Sequence, residues 1–210
     1  MPDEVLEQHV RQYIEAQTGE AVVFSWQGGE PTILGLEFFR EVIALQARYR
    51  KSGQRIENDL QTNGTLLDHL PDTVLAKLSN VLVSIDGGER ITDTYRGRGI
   101  WRQVIRNVER IRDRVGGMVT ARVTWSDPDT TFAELDELTH VFDYVYWQFV
   151  ADARYAGDSV ARREAVLAQL VERFFARTDE LYPLVPLMGI VRNKLLPNRG
   201  REPYAGMTQC

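Results

Sequence analysis

Short apolar runs alternate with helical patterns along most of this 210-residue sequence, and this alternation constrains the fold more than any other feature. β-branched and aromatic residues dominate most of the runs, as buried parallel strands require. The five runs are Ala21–Trp26, Ile56–Leu60, Val81–Ile85, Met118–Thr124 and Tyr144–Val150. The segments between them keep apolar residues on one helical face. The pattern predicts right-handed βαβ units around a parallel sheet, which is an α/β fold.

Helical patterns lie between the predicted strands and also before the first strand and after the last one. The predicted helices are Asp3–Ala16, Leu36–Arg50, Ile100–Val115, Thr131–His140 and Ser159–Arg177, with Asp129 as the expected cap of the fourth. The first of them has no strand before it, although α/β domains usually open with a strand. We therefore expect a chain that begins one strand late. Residues 1–158 are expected to form the core, and residues 159–210 a helical and irregular extension.

Composition and charge exclude several classes of function. The sequence is 43% hydrophobic and 26% charged, which is typical of a folded domain, and no apolar run reaches the roughly 18 residues that span a membrane. Its net charge of −5 argues against nucleic-acid binding, which favours a basic surface. The acidic start, Met1–Glu4, differs from a signal peptide. These features predict a cytoplasmic protein without a membrane or nucleic-acid partner.

Three of the predicted strands end in polar or glycine-rich clusters. The clusters are Gln27-Gly28-Gly29-Glu30-Pro31, Gln61-Thr62-Asn63-Gly64 and Ser84-Ile85-Asp86-Gly87-Gly88. Loops at the carboxyl ends of parallel strands converge over the sheet and bind ligands there. One such cluster alone is most simply a glycine turn, but three with different polar residues predict a site on one rim. A carboxylate beside bare glycine backbone suits a ligand ammonium group, and the phosphate-loop pattern is absent.

These clusters resemble motifs of the radical S-adenosylmethionine (radical SAM) enzymes. The resemblance rests on Phe24–Thr32 with Gly35–Phe39, then Gln61–Gly64, Ser84–Gly87, Asp93–Arg96 and Tyr146–Phe149. The closest likeness is to anaerobic sulfatase maturases and related peptide-modifying, SPASM-type enzymes with a cysteine-rich C-terminal extension. It covers about residues 2–148. The resemblance implies a partial (β/α) barrel, here truncated at its first strand, that holds S-adenosylmethionine and a 4Fe–4S cluster.

The resemblance also implies a set of cofactor-binding residues, carried over position by position. They are Gln27, Gly28, Gly29, Glu30, Asn63, Ser84 and Arg96. The Gly-Gly-Glu segment would hold the methionyl amino group with Gln27 beside it, and Asn63 would line the cavity. Ser84 and Arg96 would bind the ribose and the methionyl carboxylate, since a guanidinium can pair both carboxylate oxygens. Two alternatives stay open: Arg96 as a solvated loop residue, and Ser84 as a hydroxyl that satisfies a backbone group.

The cysteine content departs from the family pattern. The CxxxCxxC motif that holds the family's cluster is absent, and the one cysteine, Cys210, is the last residue. It falls where the family's cysteine-rich region begins, so it could ligate an auxiliary cluster in a longer chain. Thiolates bind the iron in such clusters, and three scattered histidines are not expected to replace them. We expect either a fragment or misassigned reading frame, or a degenerate domain, and no metal site in this chain.

Two functions are therefore open. The resemblance implies the core of a peptide- or protein-modifying oxidoreductase that cleaves S-adenosylmethionine to a 5′-deoxyadenosyl radical, with a reductant such as a ferredoxin or flavodoxin as partner. This chain alone would be inactive, because one thiol cannot supply the three that the family uses. The alternative is a cluster-less, non-catalytic α/β module that binds S-adenosylmethionine or a peptide. The sequence assigns no catalytic residue.

Overall fold

The computed structural model describes residues 2–125, 130–149, 158–176 and Leu187. Its five strands are β1 (Ala21–Trp26), β2 (Arg55–Thr62), β3 (Asn80–Ile85), β4 (Met118–Trp125) and β5 (Tyr144–Phe149). Its helices are α1 (Asp3–Ala16), α2 (Gly35–Tyr49), α3 (Asp72–Leu75), α4 (Glu89–Arg96), α5 (Ile100–Ile111), α6 (Phe132–Val141) and α7 (Asp158–Ala176). All five predicted strands and all five predicted helices are present, although α5 ends at Ile111 and not at the predicted Val115. Val150 and Arg177 lie outside the described residues.

The strands form one sheet in the order β1-β2-β3-β4-β5, and every neighbouring pair is parallel. The α/β fold class is therefore confirmed. Successive parallel strands that lie side by side require a crossover between each pair, and α2, α3, α4, α5 and α6 lie on those crossovers. This topology brings the carboxyl ends of all five strands to the same edge of the sheet.

One face of the sheet is apolar and covered by helices. Leu60, Val81 and Val83 are fully buried and belong to one hydrophobic cluster with Val104 and Val108 of α5. A second cluster joins α1 and α2 to β1, where Leu6, Val10 and Ile14 of α1 pack with Val22 and Phe24. The alternation of side chains along each strand places the remaining residues on the opposite face.

Helix α6 begins with a different cap from the one the sequence analysis predicted. The predicted cap, Asp129, lies outside the described residues, and Thr131 is the N-cap instead. Thr131 Oγ1 accepts from the Glu134 N–H, and the Glu134 carboxylate accepts from the Thr131 N–H. This reciprocal pair is a capping box, which satisfies two backbone donors at once. The prediction of Asp129 was wrong because it gave weight to a turn residue and overlooked the Thr-x-x-Glu spacing.

Helix α7 packs on the sheet's apolar core. Val166, Leu170 and Phe174 are buried in the same cluster as the strands β2 to β5. The boundary between a core of residues 1–158 and an extension from residue 159 stays a prediction. None of the described helices is long and apolar enough to cross a lipid bilayer.

Candidate functional site

The three polar clusters follow the carboxyl ends of β1, β2 and β3, which are adjacent and parallel. The prediction that they lie on one rim of the sheet is therefore confirmed. Their side chains take two kinds of position in the structure. Some are held by hydrogen bonds within the rim, and others have no hydrogen-bond partner among the described residues.

Glu30 joins the first cluster to the second. Its Oε1 accepts from the Thr62 hydroxyl at 2.7 Å, and its Oε2 accepts from the Asn63 backbone N–H at 2.6 Å. Oε1 also accepts from the Thr32 hydroxyl at 2.6 Å and from the Thr32 backbone N–H at 3.1 Å. Four donors surround one carboxylate, which is about the number of lone pairs that a carboxylate offers. Glu30 therefore ties the loop after β1 to the loop after β2.

Helix α5 also holds the second cluster in place, through hydrogen bonds from the Asn107 side chain. The Asn107 side-chain amide donates to the carbonyl oxygens of Gly64 and Thr65, both at 3.0 Å. Gly64 has φ +79°, and a Cβ added there would lie 2.9 Å from Val83 Cγ1. Only glycine fits this turn, because the backbone is left-handed and the neighbouring side chains are in contact.

The third cluster contains an ion pair that the sequence analysis did not predict. Arg96 Nε donates to Asp86 Oδ2 at 2.6 Å, and Arg96 Nη2 donates to Asp86 Oδ1 at 3.0 Å. The Asp86 side chain is 6% exposed, so this bidentate pair is shielded from solvent. It anchors the end of α4 to the loop after β3. The predicted contact of Arg96 with a ligand carboxylate stays a prediction, since two of its nitrogens are occupied by Asp86.

The remaining predicted residues are open to a ligand. Gln27, Gly28 and Gly29 are exposed, and an added Cβ at either glycine would meet nothing within 4 Å. The Gln27 amide and the Ser84 hydroxyl have no hydrogen-bond partner among the described residues. Ser84 is half-buried at the end of β3, next to Arg122 of β4 in the strand register. The loop after β1 and the end of β3 thus carry polar groups that have no hydrogen-bond partner among the described residues.

Arg122 is a further site residue that the sequence analysis missed. Its guanidinium donates to the side-chain amide oxygens of Gln61 on β2 and, at 3.5 Å, of Gln148 on β5. Both contacts lie on the face of the sheet opposite the helices, and the contact with Gln61 spans β3. The period-two alternation of Thr120, Arg122 and Thr124 between buried apolar residues was the signal that could have identified it.

A buried carboxyl lies deeper on the same face. Asp59 is 7% exposed and has no hydrogen-bond or ion-pair partner among the described residues. Burial raises the pKa of Asp59 from its ordinary value of 3.8 to about 6, and the negative charge of Glu57 adds to the effect. Asp59 lies in register with Ser25 and Asn80, four residues before Asn63. It is therefore separate from the rim.

The described residues do not fit an iron–sulfur cluster. Within residues 2–125, 130–149 and 158–176, no group of three or more His, Cys, Asp or Glu side chains could hold a metal ion. Cys210 lies outside the described residues. A 4Fe–4S cluster needs thiolate ligands, so the described site offers polar contacts for an organic ligand only.

A family model described as the radical SAM superfamily matches residues 1–139. The chain belongs to the radical SAM superfamily. The matched residues include α1, strands β1 to β4 and all three polar clusters of the rim. The family predicted from the Phe24–Thr32, Gln61–Gly64 and Ser84–Gly87 motifs is therefore confirmed.

Two curated relatives place the chain near a subgroup of the radical SAM superfamily. It is 40% identical over 116 residues to a serine-type anaerobic sulfatase-maturating enzyme of Klebsiella aerogenes, covering 52% of this chain and 29% of that relative. It is 39% identical over 97 residues to a cysteine-type anaerobic sulfatase-maturating enzyme of Clostridium perfringens, covering 46% and 26%. The likeness to sulfatase maturases is confirmed. The chain matches less than a third of the length of these relatives.

Solved structures of radical SAM enzymes share the fold. Native anSMEcpe with bound AdoMet superposes with a TM-score of 0.70 at 24% identity, over 94% of this chain and 58% of that chain. Coproporphyrinogen III oxidase (HemN) of Escherichia coli, a radical SAM enzyme, gives a TM-score of 0.58 at 12% identity, over 82% and 44%. These matches confirm the predicted fold, a partial (β/α) barrel of radical SAM type.

Proposed function

We propose that this chain is the S-adenosylmethionine-binding core of a radical SAM enzyme that modifies a peptide or protein side chain, as sulfatase maturases do. The observation that carries the proposal is the rim itself. Three family motifs meet at adjacent strand ends and leave the Gln27 amide, the glycine backbone and the Ser84 hydroxyl open. The relatives' names support sulfatase maturation, and one structural neighbour holds AdoMet with the Cp18Cys peptide.

The proposed cofactor site comprises Gln27, Gly28, Gly29, Glu30, Asn63, Ser84 and Arg96. Exposed glycine carbonyls suit the methionyl ammonium group, which is a donor only. The Ser84 hydroxyl suits the ribose or the carboxylate. Arg122 is added to the site because it is the strand neighbour of Ser84. Its guanidinium would offer paired hydrogen-bond donors to an anionic ligand group.

S-adenosylmethionine supplies the hydrogen-abstracting chemistry of this family when it is bound beside a reduced cluster. The described residues contain no ligand set for such a cluster, so we derive no step through it. The residues of the rim bind and orient the cofactor. We also propose a cytoplasmic location, a ferredoxin or flavodoxin as reductant, and no nucleic-acid or membrane partner.

A second candidate function is a cluster-less module that binds S-adenosylmethionine or a peptide without catalysis. The single cysteine of the sequence favours it, because one thiol cannot supply three ligands. Iron and acid-labile sulfide analysis of anaerobically purified chain tests the second candidate, because stoichiometric iron and sulfide with visible absorbance would exclude a cluster-less module. Their absence is expected for both candidates in a chain with one thiol, so the upstream nucleotide sequence, read in every frame for a CxxxCxxC codon pattern, separates them.

Titration calorimetry with S-adenosylmethionine tests the binding site itself. We expect a dissociation constant on the order of 0.1–1 mM, since 1 mM corresponds to about −4 kcal/mol and a few charge-assisted hydrogen bonds are offset by ordering costs. Glu30→Ala and Arg96→Ala should each weaken binding, whereas Glu37→Ala, at an exposed residue of α2, should not. Unchanged affinity in both rim variants would place the site elsewhere.

A further inference from the structure

A cleft opens at the end of β2 opposite the rim, between α2 and the first residues of that strand. Its volume is about 440 Å³, which lies in the range of small-molecule sites. The residues that line it come from α2, from the turn before β2, from β2 and from the segment after α3. No residue of the three rim clusters lines this cleft, so it is separate from the rim.

The charged side chains that line the cleft are all cationic. They are Arg50, Arg55 and Lys77, which are exposed. The sequence as a whole carries a net charge of −5, so this local excess is opposite in sign to the average. Arg50 follows the last residue of α2, where a cation also stabilises the helix dipole. That reason does not account for Arg55, the first residue of β2, or for Lys77 at the same cavity.

Most of this positive charge is not neutralised within the protein. Arg50 Nη1 donates to the Gln54 carbonyl oxygen, a neutral acceptor, at 3.1 Å. The Lys77 ammonium group has no ion pair or hydrogen bond among the described residues. Arg55 is paired with Glu57, whose Oε1 lies 2.6 Å from Arg55 Nη2. Three cations less one carboxylate leave about two positive charges at the cleft.

Buried amides hold the walls of the cleft in place. The Gln46 and Asn58 side chains exchange two hydrogen bonds, at 2.8 and 3.0 Å, and both residues are buried. Asn58 Nδ2 also donates to the Lys77 carbonyl oxygen at 3.4 Å. In the turn before β2, Gln54 Oε1 accepts from the Lys51 backbone N–H at 3.1 Å. These contacts fix the backbone that carries the cations, which lowers the ordering cost of binding a ligand.

The cleft suits an anion that also has an apolar part. Ile43 and Ile56 are half-buried in its lining, and Ala47 is exposed there. A ligand with an apolar body would remove these side chains from water. A phosphate monoester carries about −1.5 to −2 charges at pH 7, which matches the local excess. Arginine also matches phosphate geometry, because its planar fork offers paired N–H donors.

We propose that the cleft between α2 and β2 binds a small phosphate monoester that has an apolar body. Arg50, Arg55 and Lys77 bind the phosphate group. The apolar body packs on the half-buried isoleucines of α2 and β2. The inference does not rest on the proposed function, because the cleft and the rim share no residue and lie at opposite ends of β2.

Titration of the full ¹⁵N-labelled chain with phenyl phosphate tests the site without any substitution. The backbone resonances of Arg55, Ile56 and Lys77 should shift, and those of Asn63 and Ser84 at the rim should not. Inorganic phosphate has the charge without the apolar body, so we expect phenyl phosphate to bind about tenfold more tightly. No binding, shifts confined to other parts of the chain, or equal affinity for the two probes would overturn the proposal.

The substitution Lys77→Gln tests the charge. It removes an ammonium group that has no partner among the described residues, so the fold should tolerate it. Phenyl phosphate binding should weaken by about tenfold, because a hydrogen bond between charged groups is lost. Arg106→Gln, at an exposed residue of α5 that does not line the cleft, removes the same charge and is the matched control. Equal losses in both variants would show attraction by overall charge only, and the proposal would be wrong.

The substitution Ala47→Glu tests the cleft by a second route. It adds a carboxylate to the α2 wall, at an exposed helical position where glutamate is a good helix former. We expect phenyl phosphate affinity to fall by at least tenfold through repulsion between like charges, with an unchanged midpoint of urea denaturation. Unchanged affinity in folded Ala47→Glu would contradict the site, even if Lys77→Gln failed to fold.

Discussion

The two faces of the same sheet differ in the kind of side chain they carry and in what those side chains contact. On the helix-covered face, Val81, Val83 and Ile85 of β3 are fully buried and pack beneath α5 and α6. On the other face, the Ser84 hydroxyl has no hydrogen-bond partner among the described residues, and Arg122 of β4 donates to Gln61 on β2 and to Gln148 on β5. Residues one position apart in the chain therefore lie in the apolar core on one side and among the polar groups of the proposed site on the other.

The difference concerns how polar groups are satisfied. The apolar face needs only volume and close packing, which neighbouring side chains of many kinds can supply. Buried polar groups on the opposite face need specific partners, because an unpaired one costs free energy. Asp59, without a partner among the described residues, is the extreme case. We expect substitutions on the first face to change the free energy of unfolding, and those on the second to change mainly ligand affinity.

The largest effect is expected from Leu60→Ala compared with Gln61→Ala, its neighbour on β2. Leu60 is fully buried in the helix-facing core, so the truncation should lower the free energy of unfolding by about 2–5 kcal/mol through lost burial and a cavity. Gln61 is half-buried and should cost about 1 kcal/mol or less. Urea denaturation followed by circular dichroism measures both. Equal losses would contradict the division between the faces.

A second large effect is expected where the rim meets the helix-facing core. Gly64→Ala should lower the free energy of unfolding by about 2–4 kcal/mol, because alanine is strained at φ +79° and its Cβ would overlap Val83 and Val104. Gly29→Ala is the matched control on the open loop, where an added Cβ meets nothing within 4 Å. Thermal unfolding should leave Gly29→Ala close to the unmodified chain. If Gly64→Ala left the free energy of unfolding unchanged, the contacts with Val83 and Val104 would not restrict the loop after β2.

Asp59 should give a pH-dependent effect of intermediate size. Its pKa is about 6 in the folded chain and near 3.8 when unfolded, so the unfolded state loses its proton first as pH rises. Stability from this carboxyl is therefore present below about pH 4 and is lost between about pH 4 and 6. Asp59→Asn should nearly match the unmodified chain at pH 4 and exceed it above pH 6, by about 3 kcal/mol at most.

Denaturation series from pH 4 to pH 7 would check this prediction, with Glu57→Gln as a partner variant. Glu57→Gln should reduce the stability difference between Asp59→Asn and the chain that retains Asp59, because the Glu57 charge contributes to the raised pKa of Asp59. A difference between Asp59→Asn and the unmodified chain that stays constant with pH would show that Asp59 titrates normally.

The sequence predicted the helix-covered face better than the other. Strand and helix positions follow from periodicity, so β1 and α1 were predicted with the bounds that the structure shows. The rim residues came from motifs that carry family information. The pairs Asp86–Arg96 and Gln61–Arg122 could not be predicted, because their contacts depend on strand register and on helix placement rather than on local sequence. Periodicity identifies a face, but it does not identify partners across it.

The smallest change in stability is expected from Arg122→Met, which removes the guanidinium but retains much of the side-chain volume. Arg122, Gln61 and Gln148 are all half-buried, so water can replace hydrogen bonds lost with the guanidinium, and the free energy of unfolding should change by about 1 kcal/mol or less. S-adenosylmethionine affinity should fall by about tenfold, because an anionic ligand group loses its charged partner. Arg102→Met, at an exposed arginine of α5 paired with Glu89, is the control.

Titration calorimetry measures the affinity of both variants for S-adenosylmethionine, and urea denaturation measures their free energy of unfolding. A large loss of stability with unchanged affinity in Arg122→Met would make Arg122 a structural residue, and the two faces of the sheet would then differ in composition but not in function.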